Sequence, residues 1–250
     1  MTRNLLIAAS LAVLALGGCK KTGDASAAMD QSTKPSAPVP PPTNGDWTSV
    51  VSATPAGGFK MGNPAAAVQL TEYGSLTCPH CAEFDEKGVP TLLASYVKTG
   101  KVAWEFRNYL RDSADVTAAL IARCGGPASF FGMARGFYAD QKNWFGKIVT
   151  ADPKRTQAIQ DMAPVDQYKA LATLAGLYDF AAQRGLDKGK VDRCFANQAE
   201  ATKLVQMNSD VVAQYPDFPG TPTFLINGKM LSDTATWDKL APQLKAALGS

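Results

Sequence analysis

Two strands and the helix between them can be read from the spacing of apolar positions in the first half of the chain. Residues 68–73, V-Q-L-T-E-Y, alternate between apolar and polar side chains, which predicts a half-buried strand. Residues 101–110 follow a Gly100 turn and predict a second strand. The segment between them repeats apolar residues on one side of a helix, namely Phe84, Leu92, Leu93 and Tyr96. This order predicts a strand–helix–strand unit with parallel strands.

The second half of the chain has a helical pattern up to a final hairpin. Apolar positions in residues 112–215 recur at helical spacing and predict several helices. Residues 223–231, T-F-L-I-N-G-K-M-L, predict two strands joined by an Asn-Gly turn. An amphipathic segment at 237–248 would then cover the sheet. Strands at both ends imply an α/β fold with one sheet, in which residues 47–111 and 216–250 flank a helical insertion at 112–215.

The N-terminus has the composition of an export signal. Residues 1–18 combine a positive charge at Arg3 with an apolar stretch, Leu5–Leu16, that is too short to span a bilayer. The stretch ends in L16-G-G-C19, which resembles the bacterial lipobox, so Cys19 is the predicted site of lipidation. An ordinary signal peptide with a chance cysteine, or an uncleaved anchor, is the alternative. Acyl chains on Cys19 would hold the protein to a membrane.

Residues 19–46 predict a disordered tether between that anchor and the folded part. The segment consists mainly of Ala, Ser, Thr, Lys and Pro, including P38-V-P-P-P42, and such a composition buries too little apolar surface to fold. The globular part is therefore expected to begin near Trp47. We expect the protein to lie on the periplasmic side of a bacterial membrane, with the choice between inner and outer membrane left open.

The overall charge gives no reason to expect a nucleic-acid partner. The 250 residues carry a formal net charge of +3, and no stripe of Lys and Arg with interleaved aromatic residues is present. We expect a monomer.

The cysteine count fits an oxidising compartment. Of five cysteines, four remain if Cys19 carries lipid, and Cys78 and Cys81 pair by proximity. Cys124 and Cys194 both fall on apolar helical stripes, so a structural disulfide between them is predicted. Two separate buried thiols are the alternative reading of that pair.

The segment C78-P-H-C81 contains the only histidine of the chain between two cysteines. Such a pair can be a redox dithiol, half of a zinc site or two core thiols. Zinc needs about four ligands, and one histidine without a second C-x-x-C supplies too few. We therefore expect no metal and no cofactor. Pro79 suits the first turn of a helix, so Cys78 would lie at a helix N-terminus, where the thiolate is favoured.

This arrangement resembles the DsbA-like family of exported thiol:disulfide oxidoreductases, which have a thioredoxin-like fold with an inserted α-helical domain. The resemblance covers residues 59–248 and rests on C78-P-H-C81, on the distal G-T-P-T-F motif around Pro222 and on the long segment between them. It implies a cis-proline at Pro222 that, with Thr221, faces the dithiol, and a buried acid at Glu72. The family's best-known oxidases have Val in place of Thr221, whereas Thr occurs there in isomerases and in other branches, so the direction of electron flow stays open.

The residues of the motif suggest distinct roles. Cys78 would be the nucleophilic thiol, Cys81 the resolving thiol, and His80 a side chain that stabilises the Cys78 thiolate by charge and hydrogen bonding. Glu72 could relay the Cys81 proton if it is buried, and an exposed strand glutamate is the alternative. Pro222 could also be an ordinary trans turn proline, and His80 a solvated residue without a role. The aromatic run F130-F to F137-Y138 predicts helical core, with a substrate groove as the alternative.

Three functions are compatible with the sequence. The first is a lipid-anchored oxidase that donates its disulfide to exported proteins bearing cysteines and is reset by a membrane redox partner. The second is a reductase or isomerase on the same fold. The third is a tethered binding module without catalysis, whose C-x-x-C is only a structural disulfide.

Overall fold

The computed structural model describes residues 40–249. The predicted signal peptide, Cys19 and most of the predicted tether lie outside the described residues. Residues 40–46 contain no helix or strand, and burial begins at Trp47 in a short 3-10 helix, Trp47–Ser49. No helix in the described part of the chain is both long and apolar enough to cross a membrane.

One mixed sheet of six strands forms the centre of the fold, in the spatial order β1-β2-β4-β3-β5-β6. The strands are β1 (Val51–Ala53), β2 (Phe59–Met61), β3 (Val68–Gly74), β4 (Val102–Asn108), β5 (Thr223–Ile226) and β6 (Lys229–Met230). β3 and β4 are parallel, as the strand–helix–strand pattern predicted, and the other pairs are antiparallel. β1 and β2 were missed because a three-residue strand is too short to show an alternating pattern.

Helices cover the sheet and fill the long connection between β4 and β5. Those of the βαβ unit are α1 (Pro79–Lys87) and α2 (Val89–Leu92), followed by a π-helical turn, Leu93–Val97. The inserted helices are α3 (Ser113–Arg123), α4 (Pro127–Ala139), α5 (Gln141–Val149), α6 (Pro153–Gln160), α7 (Pro164–Ala175), α8 (Leu177–Ala182), α9 (Lys188–Phe195) and α10 (Gln198–Gln214). Helix α11 (Trp237–Ala247) follows the hairpin. The predicted α/β fold with a helical insertion is confirmed.

The aromatic run of residues 130–138 lies in α4 and packs against the sheet. Its aromatic side chains are buried. The ring of Phe130 stacks on Phe59 of β2 with 4.4 Å between centroids, and the ring of Phe131 lies 4.8 Å from that of Trp104 on β4. Full burial of a Phe side chain stabilises a fold by roughly 1.5–3 kcal/mol. The run therefore belongs to the core, and its alternative interpretation as a substrate groove is wrong.

A disulfide connects two of the inserted helices. Cys124 follows the last residue of α3, and Cys194 lies near the end of α9. The two form a disulfide, with 5.7 Å between their Cα atoms and a sequence separation of 70 residues. Crosslinking residues this far apart removes conformational freedom mainly from the unfolded chain.

Removal of this disulfide should destabilise the fold without touching the dithiol. We expect Cys124→Ser/Cys194→Ser, made in a Cys78→Ser/Cys81→Ser background, to lower the free energy of unfolding by about 4 kcal/mol in the loop-entropy model. Denaturant unfolding of the two proteins measures the difference, with the background variant as the control. A loss below about 1 kcal/mol would show that the crosslink constrains the unfolded chain very little.

Candidate active site

The first cysteine of the motif lies where β3 ends and α1 begins. β3 ends at Gly74, where a Cβ atom would come within 2.5 Å of the Phe106 ring, so only glycine fits. Cys78 is the N-cap of α1 in extended conformation, and Pro79 opens the helix, as predicted. Unpaired backbone N–H groups at a helix start favour an anion, so this position suits a thiolate.

The proline loop from the far end of the chain lies against this cysteine. The Thr221–Pro222 peptide bond is cis, and the Cys78 thiol donates a hydrogen bond to the Thr221 carbonyl oxygen at 3.2 Å. A carbonyl oxygen can only accept, so this contact belongs to the protonated thiol. When Cys78 ionises, the Thr221 carbonyl becomes free to accept a hydrogen bond from another donor.

The surroundings of Cys78 favour its thiolate strongly. They lower the pKa of Cys78 to about 5, chiefly through the hydrogen bond from the Cys81 thiol, with further help from the Thr221 side chain and from the backbone N–H groups of Cys81 and His80. Burial of Cys78 acts in the opposite direction. At neutral pH the reduced protein therefore holds Cys78 as a thiolate.

His80 is exposed, and it contributes to this effect through its main chain. No hydrogen bond within residues 40–249 joins its imidazole to the Cys78 sulfur. The stabilising role that we assigned to the His80 side chain therefore remains a prediction, whereas its N–H acts as one of the helix-start donors.

Cys81, one turn further along α1, has the opposite character. It is fully buried, and this burial raises its pKa well above the usual value. The bond to the Cys78 thiolate and the negative charges of Cys78 and Glu72 raise the pKa further. Cys81 therefore keeps its proton at a pH where Cys78 has lost its own.

Glu72 is buried in β3, so the alternative of an exposed strand glutamate is wrong. Its side chain accepts a hydrogen bond from the Trp104 indole N–H at 3.1 Å. Burial raises the pKa of Glu72 well above its usual value, and the nearby charge of Asp85 adds to this shift. A buried carboxyl group with a raised pKa can exchange a proton with a nearby group, as a general acid or base does.

Two further ionisable groups lie near Glu72, and the sequence analysis did not assign either of them to the site. Asp85 lies one turn after Cys81 on α1, and burial raises its pKa to about 6 in spite of Arg135, whose Nε is 3.3 Å from the carboxylate. The Tyr138 hydroxyl is buried, with no hydrogen-bond partner among the described residues. The i, i+4 spacing of Cys81 and Asp85 was visible in the sequence, but the burial of Asp85 depends on α4 packing over α1.

A buried aspartate in the insertion anchors the loop before Cys78. Asp115 of α3 accepts hydrogen bonds from the Ser75 hydroxyl at 2.5 Å and from the Leu76 N–H at 2.9 Å. Burial raises the pKa of Asp115 to about 7, although these hydrogen bonds act in the lowering direction. An aspartate in the first turn of a helix is common, so the sequence did not indicate that Asp115 contacts the loop before Cys78.

The structure thus brings Cys78, Cys81, Thr221, Pro222 and Glu72 together. His80 lies beside the dithiol with its side chain towards solvent, and the Cys124–Cys194 disulfide lies in the helical insertion. Cys19 lies outside the described residues. The dithiol lies at a helix start and faces a cis-proline, and a block of helices is inserted between two strands of the same sheet. These features define a thioredoxin-like protein with an inserted helical domain.

Comparison with known proteins agrees with this class. The family model described as thioredoxin matches residues 54–246. The chain therefore belongs to the thioredoxin family, and the predicted resemblance to its DsbA-like members is confirmed.

Curated relatives carry names that concern disulfides. A predicted protein-disulfide oxidoreductase of Rickettsia typhi is 29% identical over 168 residues, which are 67% of this chain and 54% of that protein. A protein of the same description from Rickettsia conorii is also 29% identical over 168 residues, covering 52% of its length. The chain spans about half the length of the curated relatives it matches.

Solved structures reproduce nearly the whole described fold. A protein-disulfide isomerase from Novosphingobium aromaticivorans is 37% identical with a TM-score of 0.73, and the match covers 76% of this chain and 97% of that one. Alpha-DsbA1 of Wolbachia pipientis is 20% identical with a TM-score of 0.63, covering 79% and 94% respectively, and shows the same fold.

Replacing Cys81 should test the main cause of the low Cys78 pKa. We expect Cys81→Ala to raise the pKa of Cys78 above about 5, because the alanine variant loses the thiol that donates to the Cys78 sulfur. Cys81→Ser keeps a donor and should stay closer to the native value. The ultraviolet absorbance of the thiolate, followed against pH, measures both. Identical titration curves for the two variants would contradict this account.

Proposed function

We propose that this protein is an exported, lipid-anchored thiol:disulfide oxidoreductase that oxidises thiols of exported proteins through Cys78 and Cys81. The observation that carries the proposal is the Cys78 thiol at the start of α1, in contact with the cis-proline loop and with its pKa lowered to about 5. Stabilising the thiolate stabilises the reduced form, which makes the disulfide form a stronger oxidant.

The exchange would proceed through a mixed disulfide. A substrate thiolate attacks the Cys78 sulfur of the disulfide form, the bond between Cys78 and Cys81 breaks, and Cys81 leaves and takes up a proton. A second substrate thiolate then attacks the substrate sulfur of the mixed disulfide, and Cys78 leaves as a thiolate. The substrate gains a disulfide, and its two electrons remain on the reduced pair.

The different surroundings of the two cysteines support these roles. Cys78 leaves readily as an anion because its pKa is low, whereas Cys81 is protonated after it leaves because its pKa is high. Glu72 is the proposed source of that proton, since it lies close enough to Cys81 for their charges to interact and burial raises its own pKa. The Thr221 backbone would pair with an extended substrate segment beside the sulfurs.

The cellular setting is inferred from the first 46 residues. A lipid on Cys19 and a tether to residue 46 would hold the folded part on the periplasmic side of a bacterial membrane. Exported proteins with cysteines would be the substrates, and a membrane redox partner would remove two electrons from the dithiol after each cycle. The net charge of +3 gives no support for a nucleic-acid partner, and a monomer is the proposed state.

A disulfide isomerase is the second candidate. Thr221 occupies the position before the cis-proline where isomerases have Thr, and the relative from Novosphingobium aromaticivorans, 37% identical, is itself a protein-disulfide isomerase. An isomerase would act with Cys78 reduced, attack a wrong substrate disulfide and leave the substrate with no net change in electrons.

The redox equilibrium of Cys78–Cys81 with glutathione decides between these functions. We expect the full chain in detergent to give a potential near about −120 mV, the value of a strong oxidant, because the Cys78 thiolate is stabilised. A variant with Cys124→Ser/Cys194→Ser is the control that removes the second disulfide from the measurement.

Other outcomes identify the alternatives. A potential near about −270 mV would indicate reducing work like that of thioredoxin, and an intermediate value near about −180 mV would favour the isomerase. A pair that never exchanges with glutathione would overturn catalysis and leave only the binding module.

The low pKa of Cys78 also predicts how the stability of the reduced protein depends on pH. The pKa is about 5 in the folded dithiol protein and about 8.5 in an unfolded chain, so the folded state binds fewer protons between these values. The resulting stabilisation is complete above about pH 8.5 and is lost as the pH falls through about 5.

Denaturant unfolding of the reduced protein and of Cys78→Ser across this pH range measures the effect. The native protein should gain stability over the variant as the pH rises. Parallel stability curves for the two proteins would contradict the low pKa.

A further inference from the structure

A glutamine from the helical insertion contacts the backbone of the active-site cysteine. Gln141, the first residue of α5, is buried, and its side-chain amide donates to the Leu76 carbonyl at 2.8 Å and to the Cys78 carbonyl at 3.0 Å. A glutamine amide has two N–H donors, so both are used on the loop that carries the first cysteine.

The Cys78 carbonyl also begins the hydrogen-bond ladder of α1. It accepts from the Ala82 N–H at 3.2 Å, the first bond inside the helix. The N–H groups of His80 and Cys81 favour the Cys78 thiolate only while the N-cap conformation aims them at the sulfur. The Gln141 bond to the same carbonyl therefore acts on the residue whose conformation sets this alignment.

Gln141 works with Asp115 on the opposite side of the same peptide segment. Asp115 accepts from the Leu76 N–H, whereas Gln141 donates to the Leu76 carbonyl. The Arg111 guanidinium adds a hydrogen bond to the Thr77 carbonyl at 3.1 Å. Side chains of the insertion and of the segment leading into it thus hold the loop from Leu76 to Cys78 by its backbone.

We propose that Gln141 is a positioning residue for thiol–disulfide exchange, through which the helical insertion holds Cys78 in the conformation that stabilises its thiolate. This inference rests on the proposed function of the Cys78–Cys81 pair. Without the amide, two buried carbonyl oxygens lose a donor, and the start of α1 loses the contact that holds its N-cap. In the native protein, the insertion would thus influence the oxidising strength of the dithiol through the backbone of Cys78.

Gln141→Met tests this role, because methionine is of similar length and has no donor. We expect the pKa of Cys78 to rise by about one unit or more, which corresponds to about tenfold less thiolate at a pH below both pKa values. The glutathione equilibrium should shift by a similar factor towards a weaker oxidant. Thiolate absorbance against pH and the redox equilibrium measure these two effects.

Gln167→Met is the matched control. Gln167 of α7 also donates from its amide to two backbone carbonyls, those of Ile159 at 3.3 Å and Gln160 at 3.1 Å, but within the insertion alone. We expect its variant to leave the Cys78 pKa and the redox equilibrium unchanged. Equal effects of the two substitutions on both readouts would overturn the proposal.

Gln141→His is a second variant that keeps one N–H donor, and its Cys78 pKa should lie between those of the native protein and Gln141→Met. If both Gln141 variants fail to fold while Gln167→Met folds, Gln141 has only a structural role and the proposal is wrong. A folded Gln141→Met with native pKa and native redox equilibrium overturns it as well.

The two proposals fail in different ways. If the native protein does not exchange its dithiol with glutathione, the proposed function is wrong. If the native protein exchanges normally and Gln141→Met behaves identically, only the role of Gln141 is wrong. The measurements concern the thiols themselves, so no substrate needs to be known.

Discussion

The antiparallel pairing of β5 with β3 is the contact on which the whole site depends. Tyr73 pairs with Thr223 and Glu72 with Phe224, so the loop before β5 lies beside the loop after β3. This register places the cis peptide at Pro222 against Cys78, although more than half of the chain lies between them. The inserted helices can occupy that interval because β4 and β5 flank β3 on either side in the sheet.

The two cysteines lie one helical turn apart, and their different surroundings shift the pKa values of the two thiols in opposite directions. Cys78 is the N-cap of α1, where helix-start N–H groups and the Cys81 thiol stabilise its anion. Cys81 points into the core, where burial and the nearby charge of Glu72 oppose ionisation. One cysteine is therefore suited to leave as an anion and the other to hold a proton, and this difference arises from position, since the two side chains are identical.

The helical insertion takes part in this arrangement as well as covering the sheet. Asp115 on α3 accepts from the N–H of Leu76, and Gln141 on α5 donates to its carbonyl, two residues before Cys78. α4 contributes Tyr138 and Arg135 beside the buried groups of α1. The site is thus built between the thioredoxin-like sheet and the insertion, and changes in the insertion can reach the thiols through the backbone of one loop.

The amino-acid sequence by itself determined the elements and the chemistry of the motif, because period-two and helical spacings, the Asn-Gly turn and C78-P-H-C81 are local signals. It did not reveal the short strands β1 and β2, because three residues are too few to show an alternating pattern. The burial of Asp85 and Asp115 and the contacts of Gln141 were decided by tertiary structure alone, which also settled the burial of Glu72 that its strand pattern had left open. A polar residue in a helix or strand has the same sequence signature whether it faces water or another element, and only packing between distant segments fixes which it faces.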